Sequence, residues 1–151
     1  MKELINIIEY IVKQWIIAVK SNTEETDYSL DYVAINSRTN EEYFRFIEIF
    51  NNIGKIIKSE LTWETYILHN PIEILWFKLG LLKIRKVDPT RPQRWYPDFK
   101  VNYKKFKEKY IKSSNFALII REDFEMIELK WIDVLVYFPN KTLGEEFWTD
   151  V

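Results

Sequence analysis

Two charges in an oily stretch are the first residues with chemical promise. Phe124 to Phe138 has the residue content of a long strand, and alternation places Glu128 and Lys130 on one face with Phe124, Met126, Ile132, Val134 and Val136. Both faces of such a strand are apolar, which predicts a central, covered position. Burying an unpaired charge costs several kcal/mol, so this pair calls for partners, a metal ion or a phosphate among them. A cross-strand ion pair at a sheet end, or a solvated stretch of hairpin, would satisfy it as well. The other chemistry-bearing types are scarce. The chain has no Cys and one His (His69), which excludes thiolate and multi-histidine metal sites and disfavours a serine triad. His69 can be read as a general base or as a hydrogen-bonded structural residue. No Gly-rich phosphate loop or dinucleotide fingerprint is present, with only three Gly in 151 residues.

Charge is the second signal. The net value of −1 is a cancellation: residues 1–77 carry −5, residues 78–112 carry +9 and residues 113–151 carry −5. A basic segment in an acidic chain is what a phosphate-facing surface needs, and this one also holds Trp95, Tyr96, Phe99, Tyr103, Phe106 and Tyr110, which could stack on unpaired bases. Arg91, Arg94, Trp95, Lys100, Lys104, Lys105, Lys107 and Lys109 are the candidate nucleic-acid contacts. The same four helix lysines also fit a solvated helix face whose other side, Tyr103, Phe106 and Tyr110, is core.

Trp95-Tyr96-Pro97-Asp98-Phe99-Lys100-Val101, followed by Glu128-Leu129-Lys130, resembles the signature of the PD-(D/E)xK nuclease superfamily over roughly residues 71–131. The resemblance implies that Asp98 and Glu128 hold Mg²⁺, that Lys130 positions or activates the attacking water, and that Glu73 on an upstream helix adds a fourth catalytic member. Hard carboxylate oxygens suit Mg²⁺, and a metal-bound hydroxide can attack a phosphodiester. The resemblance also implies a core in which the Asp strand runs by a hairpin into the (D/E)xK strand, with a helix and a further strand after it. Glu73 has a second reading, as a capping-box residue behind Asn70. Asp98, after Pro97, is equally an ordinary turn or cap residue.

The elements that must position these groups follow from periodicity. Residues 3–20 read as an amphipathic helix through Leu4, Ile7, Ile8, Ile11, Trp15 and Val19. Lys2, Glu3, Glu9, Lys13 and Lys20 interrupt its apolar run, so neither a signal peptide nor a membrane span is expected, and the cysteine-free chain points to the cytoplasm. Residues 28–36 read as a strand. Thr39 with Glu42 predicts a capped helix to about Lys58, and Asn70-Pro71-Ile72-Glu73 predicts another, ending near Gly80. Strands are expected over 81–87 and 94–101, a helix over 103–112, a hairpin from 116 to 120 and 124 to 138, and at most a short helix in the tail. No internal repeat or linker is visible.

The expectation is an α+β (mixed α/β) single domain over 1–151: a mainly helical part, 1–70, packed on a small mixed or antiparallel sheet within 71–151. Three functions compete: a Mg²⁺-dependent nuclease, a non-catalytic nucleic-acid-binding protein, and an inhibitor or immunity-type protein of phage or mobile-element kind with a protein partner. For the last, acidic patches at Glu24-Glu25-Asp27, Glu41-Glu42 and Glu122-Asp123-Glu125 are the candidate contacts.

Overall fold

The computed structural model describes residues 1–91, 93, 95–131 and 134–148; the side chains of Trp95, Tyr96 and Trp148 are outside that description. The chain opens with helix α1 (Lys2–Asn22), whose apolar stripe Leu4, Ile8, Ile11, Trp15 and Val19 is wholly buried. Strand β1 (Ser29–Asn36) follows, then α2 (Asn40–Ile53), opened as expected by Thr39, which accepts a hydrogen bond from Glu42 N at 3.0 Å. The helix stops at Ile53, short of Lys58. Gly54 turns the chain straight into β2 (Gly54–Ser59), packed so closely on β3 that a Cβ at position 54 would collide with the Ile67 carbonyl.

The helix expected from Asn70-Pro71 does not form. Residues 63–74 are a long strand, β3 (Trp63–Ile74), paired with β4 (Phe77–Arg85). Thr65, Tyr66, Ile67 and Leu68 supply β-favouring residues, and the register with β4 slips between Ile67 and Ile72, where Pro71 need not donate a ladder bond. The second half holds β5 (Trp95–Lys100), α3 (Tyr103–Tyr110) with Asn102 as its cap, β6 (Phe116–Ile120), β7 (Glu125–Trp131), β8 (Val134–Pro139) and α4 (Leu143–Trp148). The single strand expected over 124–138 is two strands: Trp131 pairs with Val134 across a reversal.

All eight strands form one mixed sheet in the order β2-β3-β4-β1-β5-β8-β7-β6. The sheet is larger than expected, and it draws on residues 29–36 and 54–70 of the supposedly helical part. Its order exposes a repeat. In β1-α2-β2-β3-β4 the first strand pairs parallel to the fourth, and in β5-α3-β6-β7-β8 it does so again; the two units meet antiparallel at β1 and β5. α1, α2 and α3 cover one face, where Val33, Ile35, Leu82, Ile84, Phe99, Val134, Val136 and Phe138 join the main core. Trp15 stacks on Phe99 and Phe106 on Phe138, tying the helices to the central strands. No described helix is long and apolar enough to cross a membrane.

Candidate functional site

Strand alternation sends every second residue to the sheet face opposite these helices, and in the central strands those residues include polar and aromatic ones. Register places Tyr32, Asp98 and Tyr137 in one row across β1, β5 and β8, and Thr65, Lys83 and Ala34 in the next row across β3, β4 and β1. Ala34 and Leu135 are buried here with Tyr32, Trp63 and Tyr137 packed against them, forming a second, small cluster.

Asp98 is the centre of this face. It is 4% exposed, one carboxylate oxygen takes the Tyr32 hydroxyl as hydrogen-bond donor, and Oδ1 has no hydrogen-bond partner among the described residues. Burial, and then the negative charge of Asp31, push its carboxyl up to about 8, against the pull of Lys83 and the Tyr32 hydrogen bond. Lys83 is itself held below its usual range by burial, with Asp98 acting the other way. Its ammonium lies 4.9 Å from the Tyr32 ring centre and 5.7 Å from that of Trp63, and the Arg85 guanidinium lies 5.0 Å from the Trp63 ring centre. The Tyr32 phenol is driven well above its ordinary value by burial and by Asp98. Thr65, 1% exposed, also has a hydroxyl oxygen without a partner.

The tail covers part of this face. Asp31 sits at a bulge between Leu30 and Tyr32 and accepts from the Leu143 and Gly144 amides at 2.6 and 2.8 Å, capping α4. Glu145 reaches Lys100 at 3.3 Å and Glu146 reaches Lys58 at 3.4 Å. Between α4 and the strands lies a cavity of about 400 Å³ lined by Asp31, Leu81, Lys78, Lys100, Thr142 and Glu145. Asp98 does not itself line this cavity; Asp31 and Lys100, on the strands that carry Tyr32 and Asp98, do. A carboxyl that keeps its proton near neutrality, with one oxygen free, can donate or accept a proton at a ligand that reaches it.

The nuclease constellation does not assemble. Tyr137 pairs with Asp98 on one side and Glu128 on the other, so a whole strand and an aromatic side chain separate the two carboxylates. Their Cα atoms are therefore about 10 Å apart. Lys130 is exposed opposite Leu135, and Glu73 is exposed near the end of β3 opposite Lys78. Among the described residues no three His, Cys, Asp or Glu side chains stand together to hold a metal ion. The groups that act on Asp98 are the Asp31 carboxylate, the Lys83 ammonium and the Tyr32 phenol, and Glu128 is not among them, so Asp98 and Glu128 do not form a Mg²⁺ donor set. Nor is the topology that of the expected core: the Asp98 and Glu128 strands are not a hairpin, and a strand, not a helix, follows Lys130.

Part of the basic segment is paired within the chain. Lys107 pairs with Glu125 at 2.7 Å, Lys109 with Glu24 and Glu25 at 3.3 and 3.7 Å, Lys100 with Glu145, and Arg91 with Asp88 at 3.5 Å. Phe99, Phe106 and Tyr110 are core, and Tyr103 donates to Glu125 at 2.7 Å, so among the described side chains of the segment no row of free aromatic faces is available for stacking. Lys104 and Lys105 are simply exposed; Arg94 and the side chain of Trp95 lie outside the described residues. Acidic residues at 24, 25 and 125, candidates for binding a foreign protein, meet the chain's own lysines instead. His69 is exposed on β3.

Tyr32, Lys83, Asp31, Thr65 and Tyr137 were not singled out by sequence. Lys83 was detectable: it is a lone charge in Leu81-Leu82-Lys83-Ile84, the same signal that drew attention to Lys130.

No protein-family model and no curated protein matches the sequence. Among solved structures, the structural-genomics protein Protein EC4020 is similar over 95% of this chain and 89% of its own, with 9% identity and a TM-score of 0.75. The two share a fold. A glyoxalase/bleomycin resistance protein/dioxygenase superfamily member from Vibrio splendidus 12B01 aligns over 75% of this chain and 97% of its own, with 8% identity and a TM-score of 0.47. The fosfomycin resistance protein FosX from Mesorhizobium loti covers 82% and 96%, with 10% identity and a TM-score of 0.27. The topology and the separation of Asp98 from Glu128 overturn the PD-(D/E)xK reading and the nucleic-acid function attached to it.

Proposed function

We propose that the open face of the sheet binds a small organic molecule beneath α4, and that Asp98 exchanges a proton with it. One observation carries this reading: a buried carboxylate oxygen with no donor from the protein, on the sheet face where Asp31 and Lys100 of the same two strands line the cavity. Buried polar atoms are almost always paired, and an unpaired one marks a place where a partner is expected. A ligand that enters from the cavity past Leu81 and offers an N–H or O–H to Asp98 Oδ1 would complete the site. The surroundings suit a proton-transfer group. Tyr32 fixes the carboxyl, Lys83 compensates its charge when ionised, and α4 keeps bulk water off.

The test is a small-molecule screen by thermal shift, followed by amide chemical-shift mapping of the hits. Hits are expected to perturb residues 30–32, 81–83 and 98, and to lose most of their affinity for the Asp98→Asn variant, while Glu128→Gln binds like the wild type. Hits that map elsewhere, or that bind Asp98→Asn equally well, would sink the reading.

A further inference from the structure

We propose that strand β6 pairs antiparallel with β6 of a second copy of this chain, joining two eight-stranded sheets into one. The sheet has two edges, and they are built differently. β2 carries Lys55 and Lys58 and is kinked by a register shift between Ile56 and Lys58, features that discourage another strand from adding there. β6, Phe116-Ala117-Leu118-Ile119-Ile120, has no charge, no proline and an unbroken register with β7, and among the described residues no strand covers its outer side. Leu118 is 37% exposed and Ile120 is 71% exposed, with Phe124 beside them at 39%. A straight, neutral, apolar edge is a template for strand addition.

The occupant this edge fits best is its own copy. A two-fold axis at Leu118 sets Leu118 against the partner's Leu118 and Ile120 against the partner's Phe116, giving aliphatic and aromatic pairs on the helix-bearing side and Ala117 against Ile119 on the other. The charges flanking the strand agree with that direction. Lys112 lies before it, and Glu122 and Asp123 lie after it; all three are exposed and without an ion pair among the described residues. Antiparallel pairing carries Lys112 of one chain to the Glu122-Asp123 end of the other. Parallel pairing would set like charges together. Arg121 at the same end leaves residues 121–123 net negative, so the complementarity survives.

Sedimentation velocity over a dilution series of roughly 1–200 µM reads this directly. The wild type is expected to show a concentration-dependent monomer–dimer equilibrium. Leu118→Lys and Ile120→Lys, at positions already partly exposed, should be monomeric throughout with circular-dichroism melts like the wild type. Asp123→Lys should weaken the dimer several-fold, and adding Lys112→Glu to it should restore association. A wild type monomeric at every concentration overturns the proposal, as does a dimer that survives both lysine substitutions. Failure of the charge exchange to restore association overturns the register centred on Leu118.

Discussion

Replacing Asp98 with Asn tests the electrostatics of the open face without the ligand. The amide keeps the shape of the carboxyl but cannot ionise. In the folded protein the Asp98 carboxyl titrates at about 8, against 3.8 for an ordinary one. Because the folded value is raised, the native state holds a proton that the unfolded chain has already released between these limits. The contribution of Asp98 to stability is therefore fully present below about pH 4, falls as pH rises and is gone above about pH 8. A tenfold change in proton affinity is worth ~1.4 kcal/mol, so the interval sets a ceiling of ~6 kcal/mol. Relaxation and water reaching the adjoining cavity reduce it, and a loss of ~2–4 kcal/mol between pH 5 and 8.5 is the expected range. Lys83, held low, gives the opposite slope, confined to the interval between its lowered value and 10.5. Urea unfolding followed by tryptophan fluorescence at half-unit steps from pH 4.5 to 9 measures it. The wild-type curve should decline relative to Asp98→Asn, with the variant level at low pH and clearly more stable above pH 8. Parallel curves over the whole range would show that Asp98 is an ordinary solvated carboxylate and would refute the reasoning.

Thr39→Ala removes the side-chain acceptor for the Glu42 amide and should cost ~1 kcal/mol in urea unfolding. Gly54→Ala forces a methyl into the Ile67 carbonyl, a backbone atom that cannot swing aside, and should cost more than ~2 kcal/mol or prevent β2 from pairing. Mg²⁺ at millimolar concentration, or EDTA, should leave the melting temperature unchanged, because the described residues offer no three-donor group; a rise of several degrees with Mg²⁺ would contradict this.

What the sequence determined by itself was local. The apolar stripe of α1, the Thr39 cap of α2, the strand over 95–100 and the aromatic face of α3 all follow from neighbouring residues, and each is present. Asp98 was also legible as a residue of interest, but through a resemblance whose other members lie elsewhere in the fold. Where local signals conflicted, tertiary pairing chose: Asn70-Pro71-Ile72-Glu73 is a good helix start, yet a twelve-residue strand gains a ladder on both sides and accommodates its proline at a register slip. The reversal between Trp131 and Val134 changes which residues share a face, because strand parity is carried only within an unbroken strand. Lys130 accordingly shares the open face with Leu135 and Tyr137, not with Val134 and Val136. Two facts were decided by tertiary structure alone. The repeat of two β-α-β-β-β units is a repeat of pairing, not of residues, and so leaves no trace in the sequence. The meeting of Tyr32, Lys83 and Asp98 depends on β1 lying between β4 and β5. Lys83 and Asp98, 51 and 66 residues beyond Tyr32 along the chain, come to lie one strand spacing to either side of it, and only there do burial and charge give the carboxyl its unusual proton affinity.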